Sequence, residues 1–302
     1  MSEQTAGTES AMMTRILVPL DGSEEAKAAL PYAMALATPG TEILLLTVVP
    51  GDDGADAARA ALEQAAQPMR AAGHTVQTEV GVGDPAGRIL ESAANTGADT
   101  IVMASRGRGA VGRLIHGSVA DRVAHEARVP VMVIRAAAEA PGPAAITRLV
   151  VPLDGSPLAE ESLPVATAIA RRLEIPIFLV RAINPVELMP PAIGFGEALP
   201  PAIYEETEQQ MEQDARDYLD RVEKALREQG LPVTTQVLSG AASTAIVDAT
   251  QPGDVVVLCS HERTGVMRWL LGSVAEHLTR EDQSPVILVP ASESAQAAES
   301  MA

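Results

Sequence analysis

The sequence predicts an α/β fold in two tandem copies, each a parallel five-stranded sheet with helices on both faces. Three observations carry this. Segments recur in order: Arg15–Ser23 (RILVPLDGS) returns as Arg148–Ser156 (RLVVPLDGS), Ala98–Ser105 as Gly253–Ser260, Gly117–Asp121 as Gly272–Glu276, and Pro130–Ile134 as Pro285–Val289. Within each copy, short apolar runs alternate with amphipathic stretches, the pattern of parallel strands joined by helical crossovers. The chain is 47% hydrophobic but only 2% aromatic. Its cores must therefore be aliphatic, as suits strands buried on both faces.

In the first copy, Ile16–Leu20 is a short apolar strand ending at Asp21-Gly22-Ser23. Glu24–Ala37 is helical in pattern, with Ser23 as N-cap and acids in the first turn. Glu42–Val49 reads as a strand, and Asp56–Ala72 as an Ala-rich helix in which Pro68 is a candidate kink. Thr75–Val82 alternates like a strand, and Pro85–Asn95 is a helix with Asp84 as N-cap and Pro85 at its first position. Asp99–Ala104, Ser118–Ala127 and Val129–Ile134 complete the copy as strand, helix and strand.

The offset between copies grows from 133 residues (Arg15 to Arg148) to 155 (Gly117 to Gly272), so the second copy carries about 22 extra residues after its second strand. There Pro185–Ala202 is rich in Pro and Gly and apolar for a loop; it reads either as a packed surface loop or as a lid or partner surface. Tyr204–Gln229 follows as a long polar helix. A Pro/Gly/Ala linker, Ala136–Ala145, divides the copies. The expected units are residues 12–137 and 146–291, with 138–145 between them and disordered tails at 1–11 and 292–302.

A net charge of −18 argues against duplex nucleic acid, which needs a basic face. The scarcity of aromatics argues against stacking on single strands. One cysteine, Cys259, allows no intramolecular disulfide. No apolar run approaches the ~18 residues of a membrane span, and the N-terminus lacks a signal peptide's apolar segment. A cytoplasmic protein is expected.

Ligands of open parallel sheets sit beyond the carboxyl ends of the strands, where the strand order reverses. The loops there begin at Pro19-Leu20-Asp21, at Val48, and at Met103-Ala104. The last is the glycine-rich stretch Ala104–Ser118 (ASRGRGAVGRLIHGS), which runs into a helix through Gly117-Ser118-Val119. Gly107, Gly109 and Gly112 let phosphate approach the backbone. Ser118 at the helix start offers N–H and hydroxyl, and Arg106, Arg108 and Arg113 add positive charge. If the first and fourth strands are neighbours, Asp21 faces this loop and can accept ribose hydroxyls. The loop is neither a Walker A motif nor a dinucleotide G-x-G-x-x-G after the first strand.

On these motifs the chain resembles a tandem universal stress protein, nearly end to end in both copies. That family's nucleotide motif is Gly, two residues, Gly, nine residues, Gly-Ser/Thr; here it is Ala104, two residues, Gly107, nine residues, Gly117-Ser118. Only the first glycine departs. The resemblance implies Rossmann-like domains of strand order 3-2-1-4-5, and ATP with Mg²⁺ or Mn²⁺ in the first copy. Asp21 falls on the family's strand-one Asp, and Val48 on its adenine-contacting aliphatic. The second copy keeps Asp154, Gly272 and Ser273, but Glu262 stands at the second glycine and Ala182 replaces Val48. A carboxylate ~4 Å from a phosphate, at an effective dielectric of ~20, costs about 4 kcal/mol. That turns micromolar affinity into roughly millimolar.

Bland readings stand beside these. His116 and His261 read as solvated loop histidines, Cys259 as a buried structural thiol, and Ser243, Thr244 and Asp248 have no triad partner in sequence. The last strand of each copy, Val131–Ile134 and Val286–Val289, is an apolar edge that needs covering. The family pairs by that edge, so the copies are expected to form an intramolecular pseudo-dimer, with a homodimer as a further option. The expected function is ATP sensing or sequestration in a stress response, with a protein partner and at most slow hydrolysis, not an enzyme. The alternative is an ATP-independent interaction protein. A nucleotidyl-transferring enzyme would need an appended catalytic domain.

Overall fold

The computed structural model describes residues 13–105, 118–135, 144–184, 201–260, 274, 277–278 and 284–292; for residues 118, 201–204 and 260 the backbone alone is described. Its first half comprises β1 (Arg15–Pro19), α1 (Ala29–Leu36), β2 (Glu42–Val49), α2 (Ala55–Ala71), β3 (Thr75–Val82), α3 (Pro85–Thr96), β4 (Thr100–Ser105), α4 (Ser118–Glu126) and β5 (Val131–Arg135). The second half comprises β6 (Arg148–Pro152), α5 (Pro157–Glu160), α6 (Ser162–Leu173), β7 (Ile177–Ile183), α7 (Pro201–Glu228), β8 (Val233–Ser239), α8 (Ala242–Ala249), β9 (Asp254–Ser260) and β10 (Val286–Pro290).

The strands form one ten-stranded sheet, ordered β3-β2-β1-β4-β5-β10-β9-β6-β7-β8. Each half has the expected 3-2-1-4-5 order, and strand neighbours within a half are parallel. The joint is antiparallel, β5 against β10, in the register Val133↔Val286, Met132↔Ile287 and Val131↔Leu288. The two apolar last strands thus cover one another. Alternation along them feeds both cores: Met132, Ile134, Ile287 and Val289 belong to one buried cluster, Val131, Val133, Val286 and Leu288 to the other. The first cluster lies under α1, α2, α6 and α7, the second under α3, α4 and α8.

The helix expected from Glu24 starts later, as a short 3₁₀ turn over Ala26–Ala28 before α1. Lys27 and Ala28 donate to the carbonyls of Glu24 and Glu25, the i→i+3 pattern. Pro31, three residues into α1, has no N–H to continue an α-helical ladder back through Lys27. The second half repeats this break: α5 ends at Glu160, α6 begins at Ser162, and Pro164 stands where Pro31 does. Ser23 caps as expected, its hydroxyl accepting from Ala26 N at 3.1 Å, and Ser156 does the same for Ala159 N. α2 runs through Pro68 to Ala71; in the last turn, the missing N–H costs a single ladder bond. Asp84 caps α3 by accepting from Gly87 N at 2.9 Å. Most of the second-half insertion, and residues 136–143 of the linker, lie outside the described residues.

Candidate functional site

β1 lies between β2 and β4, pairing Ile16 with Thr100 and Leu17 with Ile101, so the strand order reverses between β1 and β4. The chain leaves β1 at Pro19, and Leu20, buried, donates its N–H to the Leu46 carbonyl at 2.7 Å. That bond fixes where the next residue emerges. Asp21 is exposed, and its Oδ1 accepts from Ser23 N at 3.0 Å and from Ser23 Oγ. Gly22 has φ +82, a left-handed conformation that lets the turn double back, and no atom lies within 4 Å of where its Cβ would be.

Val48, next to last in β2, lies beside Gly81 of β3 and packs on the second core cluster. Met103 is buried in β4 opposite Val133, and Ala104 stands opposite Ile134. The strand ends at Ser105. Gly107, Arg108, Gly109 and Gly117, together with Arg106, Gly112, Arg113 and His116, lie outside the described residues. Ser118 is the first residue of α4, and Val119 packs on the second core cluster.

Arg122, absent from the sequence reading, anchors this helix. Its Nη1 lies 2.7 Å from Asp84 Oδ2 and its Nε 2.9 Å from Glu126 Oε1. Hydrogen bonding to Glu126 first, then the charges of Glu126 and Asp84, hold the guanidinium above its ordinary value. One carboxylate, Asp84, thereby caps α3 and ties it to the first turns of α4. The spacing of Arg122 and Glu126 was legible as a helix pair; its link to Asp84 was not.

The described part of the first site therefore brings together a carboxylate at the end of β1, aliphatic side chains from β2 and β4, and a helix N-terminus. This donor set fits a nucleoside with a phosphate tail: acceptor for hydroxyls, apolar surface for a base, backbone N–H groups and dipole for an anion. Among the described residues no group of three or more His, Cys, Asp or Glu side chains could hold a metal ion.

The second half has the same frame. β6 pairs with β9 through Leu149↔Val255 and Val150↔Val256, and Asp154 Oδ1 accepts from Ser156 N at 2.8 Å. Ala182 packs on the second core cluster at the position of Val48. Cys259, in β9, is a buried thiol. His261, Glu262, Gly272 and Ser273 lie outside the described residues. A feature that sequence reading missed is Tyr218 of α7. Its hydroxyl donates to Glu160 Oε1 at 2.9 Å, and Arg181 and Arg221 lie over its ring at 5.0 and 5.7 Å. Burial first, then the Glu160 acceptor, push this phenol up from its ordinary value.

The universal stress protein family model matches residues 12–135 and again 145–290. The chain belongs to the universal stress protein family. A universal stress protein of Methanocaldococcus jannaschii is 30% identical over 148 residues, 47% of this chain and 81% of that one. One of Mycobacterium tuberculosis H37Rv is 30% identical over 193 residues, 63% of this chain and 61% of that one. Among solved structures, a universal stress protein from Archaeoglobus fulgidus aligns with a TM-score of 0.67 at 21% identity, covering 92% of this chain and 98% of that one. This likeness supports the fold. Nucleotide binding without catalysis is typical of universal stress proteins. No helix among the described residues is long and apolar enough to cross a membrane.

Proposed function

We propose that this universal stress protein binds ATP in its first half, between the end of β1 and the start of α4, and senses or sequesters it in a stress response. The observation that carries the reading is the adjacency of β1 and β4. It sets the Asp21 turn beside the strand from which the Ala104–Ser118 stretch departs. Asp21 accepts the ribose hydroxyls, while Pro19, Leu20, Val48 and Met103 frame the adenine. Gly107, Arg108, Gly109, Gly117, Ser118 and Val119 surround the phosphates. Mg²⁺ or Mn²⁺ accompanies the phosphates as their counter-ion.

In this role the protein is a cytoplasmic binder rather than an enzyme. The sequence shows no general base poised to activate water, so any hydrolysis is slow. The second half, with Glu262 in place of the motif's second glycine, binds ATP poorly, and the first half is the working site. Nucleotide extracted from the purified full chain tests this. ATP is expected in the wild type and is lost when Gly117→Ala and Ser118→Ala are combined. A chain that purifies without nucleotide and takes up none in a titration with ATP and Mg²⁺ is instead an ATP-independent interaction protein.

A further inference from the structure

The duplication allows the two halves to be compared position by position. Pro19↔Leu46 in the first half corresponds to Pro152↔Val180 in the second, so Arg181 stands where the first half has Thr47. Arg70 and Arg227 make the same contact, to the carbonyls of Val76 and Val233, so Tyr218 stands where the first half has Ala61. Glu160 stands where the first half has Lys27.

These three differences converge on one turn. A Cβ placed on Gly155 would lie 3.2 Å from Arg181 Nη1 and 3.3 Å from Nη2, whereas nothing lies within 4 Å of the same point on Gly22. The Arg181 guanidinium is itself held over the Tyr218 ring, and the Tyr218 hydroxyl is tied to Glu160. A cation on an aromatic face, with that ring fixed by a charge-assisted hydrogen bond, has little freedom to withdraw. On the other side the turn is anchored by Leu153 N, which donates to the Val180 carbonyl at 2.8 Å. Asp154 accepts the Ser156 N–H just as Asp21 accepts that of Ser23. The turns differ instead in the neighbour of their glycine: a shift of the Asp154 turn to take a ribose is resisted by Arg181, whereas the Gly22 turn has open space there.

We infer that Arg181, clamped on Tyr218, is a positioning residue that locks the Asp154–Gly155 turn against a ribose. The second half is thereby a closed copy of the first site, through a device separate from its altered phosphate loop. The inference rests on the nucleotide reading of the first half. Two experiments on the full chain test it.

Hydrogen exchange reads the lock directly. Arg181→Thr speeds exchange of the Gly155 and Ser156 amides about tenfold while Gly22 and Ser23 are unchanged. Unchanged exchange at Gly155 and Ser156 overturns the inference. The reciprocal transplant, Lys27→Glu with Thr47→Arg and Ala61→Tyr, lowers ATP affinity about tenfold or more while the melting temperature is retained. Wild-type ATP affinity in a folded transplant overturns it. If the transplant fails to fold, the exchange comparison decides alone. If the wild type takes up no ATP, the nucleotide reading fails, and exchange at Gly155 still decides whether the lock exists.

Discussion

Met132 and Ile287 face each other at the centre of the β5–β10 joint, and they are equivalent residues of the two copies. Their neighbours confirm the symmetry: Val133 meets Val286, and Val131 meets Leu288. The joint is thus a pseudo-twofold axis running through one pair of side chains. Both are fully buried, at 0% and 1% exposure.

Removing either should be felt across the whole sheet. Met132→Ala and Ile287→Ala are each expected to destabilise by about 2–5 kcal/mol, as large-to-small core changes do. Because the two positions are paired, the double variant should depart from additivity by roughly 0.5 kcal/mol or more. Urea unfolding of the four proteins measures both effects.

Asp254 is buried at the start of β9 and bonded by Arg148 Nε at 2.9 Å, Arg148 Nη2 at 2.5 Å and Gln251 N at 2.8 Å. Arg148 also lies 4.4 Å over the Phe178 ring. Asp254→Ala leaves the guanidinium without its carboxylate, at an expected cost of about 3–5 kcal/mol. The equivalent Asp99 is only half-buried, accepting from Thr14 N and Oγ1 and from Arg15 N. Asp99→Ala should cost clearly less by the same denaturation measurement.

Within the proposed function, the two carboxylates at the ends of β1 and β6 should behave differently. Asp21→Ala removes hydrogen bonds to a charged acceptor worth about 1.5–3 kcal/mol, so ATP affinity falls tenfold or more. Asp154→Ala should leave it unchanged. Calorimetric titration of the full-length variants with ATP and Mg²⁺ checks the pair of outcomes.

Tyr218 gives the stability a defined alkaline limit. Its folded value is raised above the ordinary 10.0, by burial first and then by Glu160. Below the unfolded value both states keep the proton and stability does not vary. Above it the unfolded chain loses the proton first, so stability falls as pH rises. Tyr218→Phe should lower stability near neutrality by about 1 kcal/mol through the lost hydrogen bond. It should also flatten the decline above pH ~10. A residual slope is expected from Tyr32, which burial shifts the same way. Urea midpoints measured from neutral to alkaline pH test both parts.

Much of the frame was legible because its causes are local. Asp84 before Pro85 announces a capped helix, and Glu42–Val49 and Thr75–Val82 are bounded as their patterns indicate. The need to cover Val131–Ile134 was legible too, but its register was not. Met132 opposite Ile287 depends on two strands more than 150 residues apart in sequence. The late start of α1 was missed because Pro31 acts backwards along the chain, on residues whose own propensities favour a helix. At the site, Asp21 and Val48 could be read from their places at strand ends. The placement of Arg181 beside the Gly155 turn could not, since β7, α7 and the turn after β6 meet only in the folded protein.

The antiparallel joint has one more consequence. In a dimer of separate identical chains, every substitution appears twice and the pair comes apart on dilution. Here the joint lies within one chain, so it holds at any protein concentration. Thr47 and Arg181, or Lys27 and Glu160, are also free to differ without either half losing its mate. Because the joint is antiparallel, the carboxyl ends of the two sets of parallel strands lie at opposite rims of the sheet, so the loops at one rim can change without disturbing those at the other.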